Sequence, residues 1–445
     1  MGSYESNIVR SALHIVWCGA FLFDVNKQMN ERNYIRYRKL KAKLNSICFY
    51  LCRIFPIDNN LVSVCTFEGK GGFGCNPKYI VEKLHELNPT IKFVWFVNKN
   101  VWDKEFPEYI KKVPNTTWAR AYWLSRSKVW IDNYRKPFGT VKRKGQYYVN
   151  TNHYTLGIKT VGLWRGAGFS KMAYLVSKND SDMIDELIID SRFCELASPK
   201  GLIYDGHYLK TGAPRCDVLY GDRSGIKKEY RQRNGLPEDA KIVMFAPTFR
   251  EGAKDGKRFV YSEEWSLDFA RLIRNLETKF GGNWYICVRV HPQLAAGFDD
   301  YDNPEVAGKI LNESKADDLY EIMAAMDAYI TDYSSACFEA GFAKIPVFIY
   351  ADDIGKYEKD RGSLYWNLAT DPLDDIKCNS DIFPGENWKF PFSVATDNDM
   401  LENNILSFDE QEYSNGLDSF HSQIGLVFNG NASEKVAEEI YKVIM

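Results

Sequence analysis

The sequence predicts an α/β protein made of parallel βαβ units, on three observations. Short apolar runs alternate with segments of helical periodicity along most of the 445 residues, the order that gives a parallel sheet covered by helices. Three of the runs in the C-terminal half end in hydroxyl-bearing or basic residues, where open α/β sheets bind their ligands. A hydrophobic content of 45% and an aromatic content of 15% are those of a chain with a packed core.

The elements divide the chain into an extension (1–57), a first α/β unit (58–221) and a second (222–445). In the extension, Arg32, Arg36, Arg38, Lys39, Lys41, Lys43 and Arg53 occur with no acidic residue between Arg32 and Arg53. Tyr34, Ile35, Tyr37, Leu40, Leu44, Ile47, Phe49, Leu51, Ile54 and Phe55 are interleaved with them, which predicts a basic amphipathic helix suited to an anionic membrane surface. A solvated basic face on a helix docked to the protein's own core is the plainer alternative. The first unit opens with the strand Leu61-Val62-Ser63-Val64-Cys65. The glycine-rich loop Glu68 to Gly74 follows, then a helix from Pro77 to Leu87. The loop lacks the Gly-Lys-Ser/Thr ending of a phosphate-binding Walker motif; it reads either as a close approach to ligand or as a lid. Further strands are expected at Ile91–Val97, Lys128–Asp132, Tyr147–Thr151 and Leu187–Ile189. The charged stretch Asp222 to Asp239 links to the second unit. Asp371 to Phe392 reads as loop, and Ser433 to Met445 as a terminal helix packing back across the domains.

The chemistry is concentrated at three strand ends of the second unit. Ile242–Ala246 runs into Pro247-Thr248-Phe249-Arg250, and Trp284–Val288 into Arg289-Val290-His291-Pro292. Ala328–Ile330 runs into Thr331-Asp332-Tyr333-Ser334-Ser335, with Glu339 one helical turn further on and a second buried strand in Lys344 to Tyr350. Backbone N–H groups at a helix start favour an anion. A serine cap closing an ordinary βα turn is the alternative for Ser334 and Ser335 taken alone. Together the three ends suit a pyrophosphate. Asp352-Asp353 lacks the spacing of a metal-binding carboxylate pair, so no essential metal is predicted.

Composition excludes some classes. A net charge of −2 gives no argument for a nucleic-acid partner. The ten cysteines are scattered without CxxC or Cys/His spacing, and no signal peptide is expected, which together fit reduced thiols in a cytosolic protein. No apolar run reaches the roughly 20 residues that span a bilayer; Ala12 to Val25 is interrupted by His14 and Asp24.

With these residues in hand, the chain resembles the CDP-glycerol glycerophosphotransferase family of teichoic-acid and capsule polyalditol-phosphate transferases. The resemblance runs from about Leu61 to the C-terminus. Ala246-Pro247-Thr248-Phe249-Arg250, Arg289-Val290-His291-Pro292, Ile330 to Ser335, Asp353 with Tyr357, and Arg361-Gly362 carry it in the second unit. Ser191-Arg192-Phe193, Tyr204-Asp205-Gly206 and Gly212-Ala213-Pro214-Arg215-Cys216-Asp217 carry it in the first. The family's Gln-x-Tyr-Ile-Gln-Thr-Trp-His-Gly run corresponds to Gln146 through Tyr154. His153 is kept, whereas Asn152 stands for the Trp and Tyr154 for the Gly. Trp164-Arg165-Gly166 imitates that run without its His.

The resemblance implies a GT-B architecture of two Rossmann-like domains facing a cleft, acceptor on the first and donor on the second. It implies a CDP-linked donor, CDP-glycerol or CDP-ribitol, and a lipid-linked or polymeric saccharide or polyol acceptor. CMP would be released at the inner face of a bacterial cell membrane, where the chain would be cytoplasmic and peripheral. His153 is then the candidate base, and Arg289 and His291 the groups that stabilise the leaving phosphate. Thr248, Arg250, Asp332, Ser334 and Ser335 would line the donor site, with Glu339 on the ribose. A GT-B glycosyltransferase using a nucleotide sugar shares the strand-end chemistry and is the first alternative. A non-catalytic membrane-associated partner in polymer assembly, suggested by Asn152 and Tyr154, is the second.

Overall fold

The computed structural model describes residues 30–445 except 154–155, 249, 255–256, 262–265, 291–302, 371–372 and 374; the apolar run Ala12–Val25, Tyr154 and His291 fall outside them. Two parallel sheets organise the described residues. The first contains β1 (Asp58–Cys65), β2 (Lys92–Val97), β3 (Ile110–Pro114), β4 (Ser127–Asp132), β5 (Tyr147–Asn150), β6 (Glu186–Ile189) and β7 (His207–Lys210). Their order is 3-2-1-4-5-6-7. The second contains β8 (Ala240–Phe245), β11 (Asn283–Val288), β12 (Ile310–Asn312), β13 (Ala328–Thr331), β14 (Val347–Tyr350) and β15 (Ser393–Ala395), in the order 12-11-8-13-14-15. A separate antiparallel hairpin pairs β9 (Arg250–Lys254) with β10 (Lys257–Tyr261).

Both sheets share one doubly wound logic. The chain starts in the middle, builds one edge, then crosses to the other side of its first strand. That reversal leaves a crevice at the carboxyl ends of β1 and β4 in one sheet and of β8 and β13 in the other. The central strands are buried on both faces: Val62, Val64, Val129, Ile131, Ile242, Val243, Met244 and Ile330 are all inaccessible to solvent. Such strands read as unbroken apolar runs because helices cover both sides.

The helix Ala432–Ile444 covers the first sheet, although it follows the whole second unit in sequence. Its Val436, Ala437 and Ile440 pack into one cluster with Val62, Ile80, Trp95 and Val129. Asp217 anchors its start, accepting hydrogen bonds from Ala432 N at 3.0 Å and from Ser433 N at 2.7 Å.

The basic segment of the extension forms the helix Glu31–Leu51, capped by Asn30. It docks on the first unit through Ala42 and Phe49, both buried. Ser46 Oγ donates to Gly139 O at 3.0 Å and Asn45 Nδ2 to Phe138 O at 3.3 Å. Gly139 lies at φ +89°, and a Cβ built there would stand 2.2 Å from Ala42 O, so the helix sits directly on bare backbone. At roughly 100° per residue, Leu40, Leu44, Ile47 and Leu51 fall on the side opposite the docking face. They are 51–60% exposed, and Ile54 just beyond is 81% exposed. One face of the helix is therefore docked, as the plainer alternative expects, and the apolar stripe turns outward among the basic residues. No helix of the described residues is long and apolar enough to cross a membrane.

The glycine-rich loop is shaped by the second unit. A Cβ on Gly72 would lie 2.5 Å from the Asp317 carboxylate, and one on Gly74 would lie 2.9 Å from Asp317 O. These glycines let the 317–318 backbone of one unit lie against the other. Lys104 pairs with the same Asp317, and Lys78 with Glu321. Further along the seam Trp366 Nε1 donates to Gly157 O at 2.9 Å, and Phe193 packs against Tyr365 and Phe383.

Candidate active site

Two turns gather the chemistry, one after β5, beside the first sheet's reversal point, and one at the reversal point of the second. In the first unit the chain leaves β5 through Asn150 and reaches His153 three residues later. Asn152 takes φ +50°, a left-handed conformation that Asn tolerates better than most side-chain-bearing residues. Its N–H donates to Asn150 Oδ1, and its own Oδ1 accepts from His153 N, each at 2.8 Å. The residue that stands for an aromatic in the family's motif is therefore a turn former here.

The imidazole of His153 lies between Phe67, edge-on at 5.6 Å, and Tyr134 at 5.3 Å. Its Nδ1 is 3.1 Å from Asn133 O. A carbonyl only accepts, so Nδ1 carries the proton and the lone pair sits on Nε2. Burial lowers its pKa from 6.5 to about 4; the Asn133 contact opposes this, and Arg215, Arg135 and Lys159 reinforce it. The ring is thus neutral near pH 7, the form a proton acceptor needs.

A buried polar ladder supports this turn. Asn150 Nδ2 reaches Tyr148 Oη at 3.2 Å, which donates to Asp180 Oδ1 at 3.2 Å. Asp180 also accepts from Lys136 N at 2.9 Å. Burial raises its pKa to about 7. Lys136 Nζ in turn pairs with Asp132 Oδ2 at 2.7 Å.

In the second unit, Thr248 N donates to Asp332 Oδ1 at 2.7 Å, joining the ends of β8 and β13. Thr248 Oγ1 is buried and has no hydrogen-bond partner among the described residues. A hydroxyl of that kind is one a ligand can satisfy. Ser335 stands at the N-cap of the helix Ala336–Phe342 with no side-chain cap bond. Ser334 Oγ accepts from Ala336 N at a long 3.4 Å. Both serines are partly exposed, so their hydroxyls are open to other partners.

Arg289 is partly buried and donates to Glu313 O at 2.8 Å and Ala316 O at 2.9 Å. Burial lowers its pKa, which Asp318 and Glu313 among its neighbours oppose. Among the described residues no carboxylate forms an ion pair with it, so its charge can still take a counter-ion.

Two expectations need correcting. Arg250 does not present its charge to a ligand. Asp353 takes it bidentately at 2.8 Å on both arms, Asp332 takes Nη1 at 2.9 Å, and the stacked rings of Tyr333 and Tyr357 lie beneath it. Burial alone would lower its pKa, but the Asp353 and Asp332 contacts outweigh burial and raise it. Arg250, Asp332 and Asp353 are the frame of the Thr248 turn. Glu339, expected on a ribose, is fully buried instead. One oxygen meets Arg215 Nε at 3.2 Å and Nη2, and the other takes the hydroxyl of Tyr320.

Asn76, Asn133 and Arg215 were not singled out as site residues, although all three shape the site. Arg215 carried a signal: it is a lone charge in the otherwise uncharged run Gly212–Cys216. The asparagines carried none, because their roles are set by backbone groups remote in sequence. Trp164, the look-alike, donates to Ala197 O at 2.9 Å and belongs to the seam packing.

A family model described as CDP-Glycerol:Poly(glycerophosphate) glycerophosphotransferase matches residues 47–442. The teichoic acid poly(glycerol phosphate) polymerase of Staphylococcus epidermidis is 28% identical over 399 residues, which are 87% of this chain and 52% of that protein. The polymerase of the same description from Bacillus spizizenii is 23% identical over 439 residues, 93% of this chain and 100% of that one. The chain thus spans about half the length of the first relative and all of the second. A solved structure of the wall teichoic acid polymerase TagF superposes with a TM-score of 0.72 at 25% identity, covering 94% of this chain and 99% of that one.

Proposed function

The chain belongs to the CDP-glycerol:poly(glycerophosphate) glycerophosphotransferase family, and on that premise we propose that it transfers a phosphoalditol from a CDP-linked donor to a hydroxyl of a teichoic-acid-like or capsular acceptor, releasing CMP. The observation that carries this reading is His153. It is a neutral imidazole with its proton fixed on Nδ1 and its lone pair on Nε2, at the ligand-binding end of the first sheet. Nε2 takes the proton of the acceptor hydroxyl, whose oxygen attacks the β-phosphorus of the donor. The bond from that phosphorus to the bridging oxygen breaks, and CMP leaves with the electron pair.

In this reading Arg289 gains its counter-ion in the donor pyrophosphate, and Thr248, Ser334 and Ser335 supply hydroxyl and N–H donors. His291, in the motif with Arg289, is assigned to the same phosphate. The architecture is read as GT-B, with residues 58–221 on the acceptor side and 222–445 on the donor side. CDP-glycerol is the preferred donor, since a relative at 28% identity and another covering 93% of this chain are glycerol phosphate enzymes by name. Ribitol polymerases also match, at 24% identity in one case. The outward apolar stripe and basic flanks of the helix Glu31–Leu51 support a peripheral seat on an anionic membrane surface, where a lipid-linked acceptor would lie.

Incubation with CDP-glycerol, CDP-ribitol and UDP-sugars, with identification of the released nucleotide, tests the reading. CMP supports it; UDP would replace it with sugar transfer; nucleotide binding without turnover would leave a non-catalytic partner.

A further inference from the structure

The His153 turn and the helix that follows Ser335 lie on different units, yet an unbroken chain of buried polar contacts joins them. Asn76, at the start of the helix Cys75–Leu87, is buried and uses its whole amide on backbone. Its Nδ2 donates to Thr151 O at 3.0 Å and Asn152 O at 3.1 Å; its Oδ1 accepts from Arg215 N at 3.0 Å. The two carbonyls only accept and the N–H only donates, so a single orientation of the amide satisfies all three.

Arg215 carries the link onward. Its Nε and Nη2 reach Glu339 on the helix Ala336–Phe342, Nη1 touches Cys75 Sγ at 3.3 Å, and its guanidinium lies 4.8 Å from the Tyr320 ring centre. Tyr320 closes the circle on the other oxygen of Glu339. One amide and one guanidinium thus connect the backbone on the N-terminal side of His153 to the helix that Ser334 and Ser335 introduce. The same guanidinium is among the charges that keep His153 neutral.

We propose that Asn76 and Arg215 are positioning residues that hold the His153 turn in register with the Ser334–Ser335 turn, so that the proton acceptor and the phosphate-holding groups face one substrate pair. This rests on the reading of His153 as the base. Neither residue touches the reacting atoms; Asn76 acts through the backbone before His153, and Arg215 through Glu339 on the helix that follows Ser335.

Asn76→Asp tests it. The change keeps the size and the acceptor for Arg215 N but sets a carboxylate oxygen against two carbonyl oxygens. With CDP-glycerol and an acceptor extract, kcat is expected to fall about a hundredfold, the loss typical of a small displacement of a reacting group. Donor KM should stay within about twofold, because the donor turn keeps its own contacts. Amide exchange over 147–153 should accelerate. In a His153→Ala background the substitution should cost nothing further, since it acts through that ring. An unchanged kcat, or a loss that adds fully to that of His153→Ala, overturns the proposal. If the Asp variant does not fold, Asn76→Ser is read by the same measurements. If the wild type releases no CMP from either CDP-alditol, the functional reading fails on its own, and exchange decides the link: acceleration over 147–153 on Arg215→Lys supports it, and an unchanged pattern removes it.

Discussion

Arg215 and Glu339 meet across the two units as an ion pair with both side chains 1% exposed. Burial works against the guanidinium, but the Glu339 carboxylate more than offsets it and raises the Arg215 pKa well above its ordinary value. The pair joins the seam itself, so its loss is felt by both units. Leaving one buried charge without the other costs about 3–5 kcal/mol. Glu339→Ala should therefore lower the free energy of unfolding by that amount, whereas replacing both residues with leucine or methionine should restore much of it. Chemical denaturation of the single and double variants measures the difference.

His153→Ala should abolish transfer while leaving CDP-alditol affinity within a few-fold of wild type. Loss of a general base typically costs about 10²–10⁴ in rate. Near-normal turnover in single-turnover assays would remove the assignment.

The pH profile supplies a separate check. With its pKa moved from 6.5 to about 4, His153 stays neutral through the mildly acidic range. The acid limb of kcat should then fall well below pH 6, towards 4, rather than centre at 6.5. The sign for stability agrees: the folded state binds the proton more weakly than the unfolded one. This group's contribution is complete above 6.5 and is lost as pH falls towards 4.

Arg289→Ala should weaken donor binding as well as turnover. A charge-assisted hydrogen bond is worth about 1.5–3 kcal/mol, or roughly ten- to a hundredfold in affinity. Calorimetry with CDP-glycerol reads it directly, and an unchanged affinity would leave Arg289 as a brace for the 313–316 backbone alone.

The N-terminal helix should bind anionic vesicles reversibly. Each Lys or Arg near such a surface contributes about 1 kcal/mol, fading beyond a Debye length of about 8 Å at physiological salt. Replacing Leu40, Leu44, Ile47 and Leu51 with serine, or Arg36, Lys39, Lys41 and Lys43 with glutamine, should release the protein in a flotation assay. Thermal stability should hardly change, because the docking residues Ala42 and Phe49 are untouched. Full binding by both variants would refute the membrane reading.

What the sequence made legible was the interior of each sheet. Every strand anticipated from an apolar run lies away from the sheet edges, where helices on both faces demand such a run. Within the two parallel sheets the strands not anticipated, Ile110–Pro114, His207–Lys210, Ile310–Asn312 and Ser393–Ala395, are the four edges; the separate hairpin of Arg250–Lys254 and Lys257–Tyr261 was not anticipated either. Edge strands are short and carry lysines or other polar residues, which protects an open edge from pairing with another chain, and that protection erases the pattern. The site divides similarly. Thr248 and Ser334 stood out in the sequence because they follow strand ends, where open sheets bind ligands, and His153 through the family resemblance. The tying of Glu339 to Arg215 was not, because the two are remote in sequence and nothing local distinguishes a buried carboxylate from a solvated one.

The helix Ala432–Ile444 makes the second unit an insertion within the first. On the ribosome, the strands of the first sheet emerge early, but the helix that covers Val62, Trp95 and Val129 emerges only after the whole second unit. Domains made in simple succession can fold one by one as they appear; here the earlier half waits for the later. Until then the helix Cys75–Leu87 covers that face without Val436, Ala437 and Ile440 beside it, so part of the apolar surface stays open while the second unit is made.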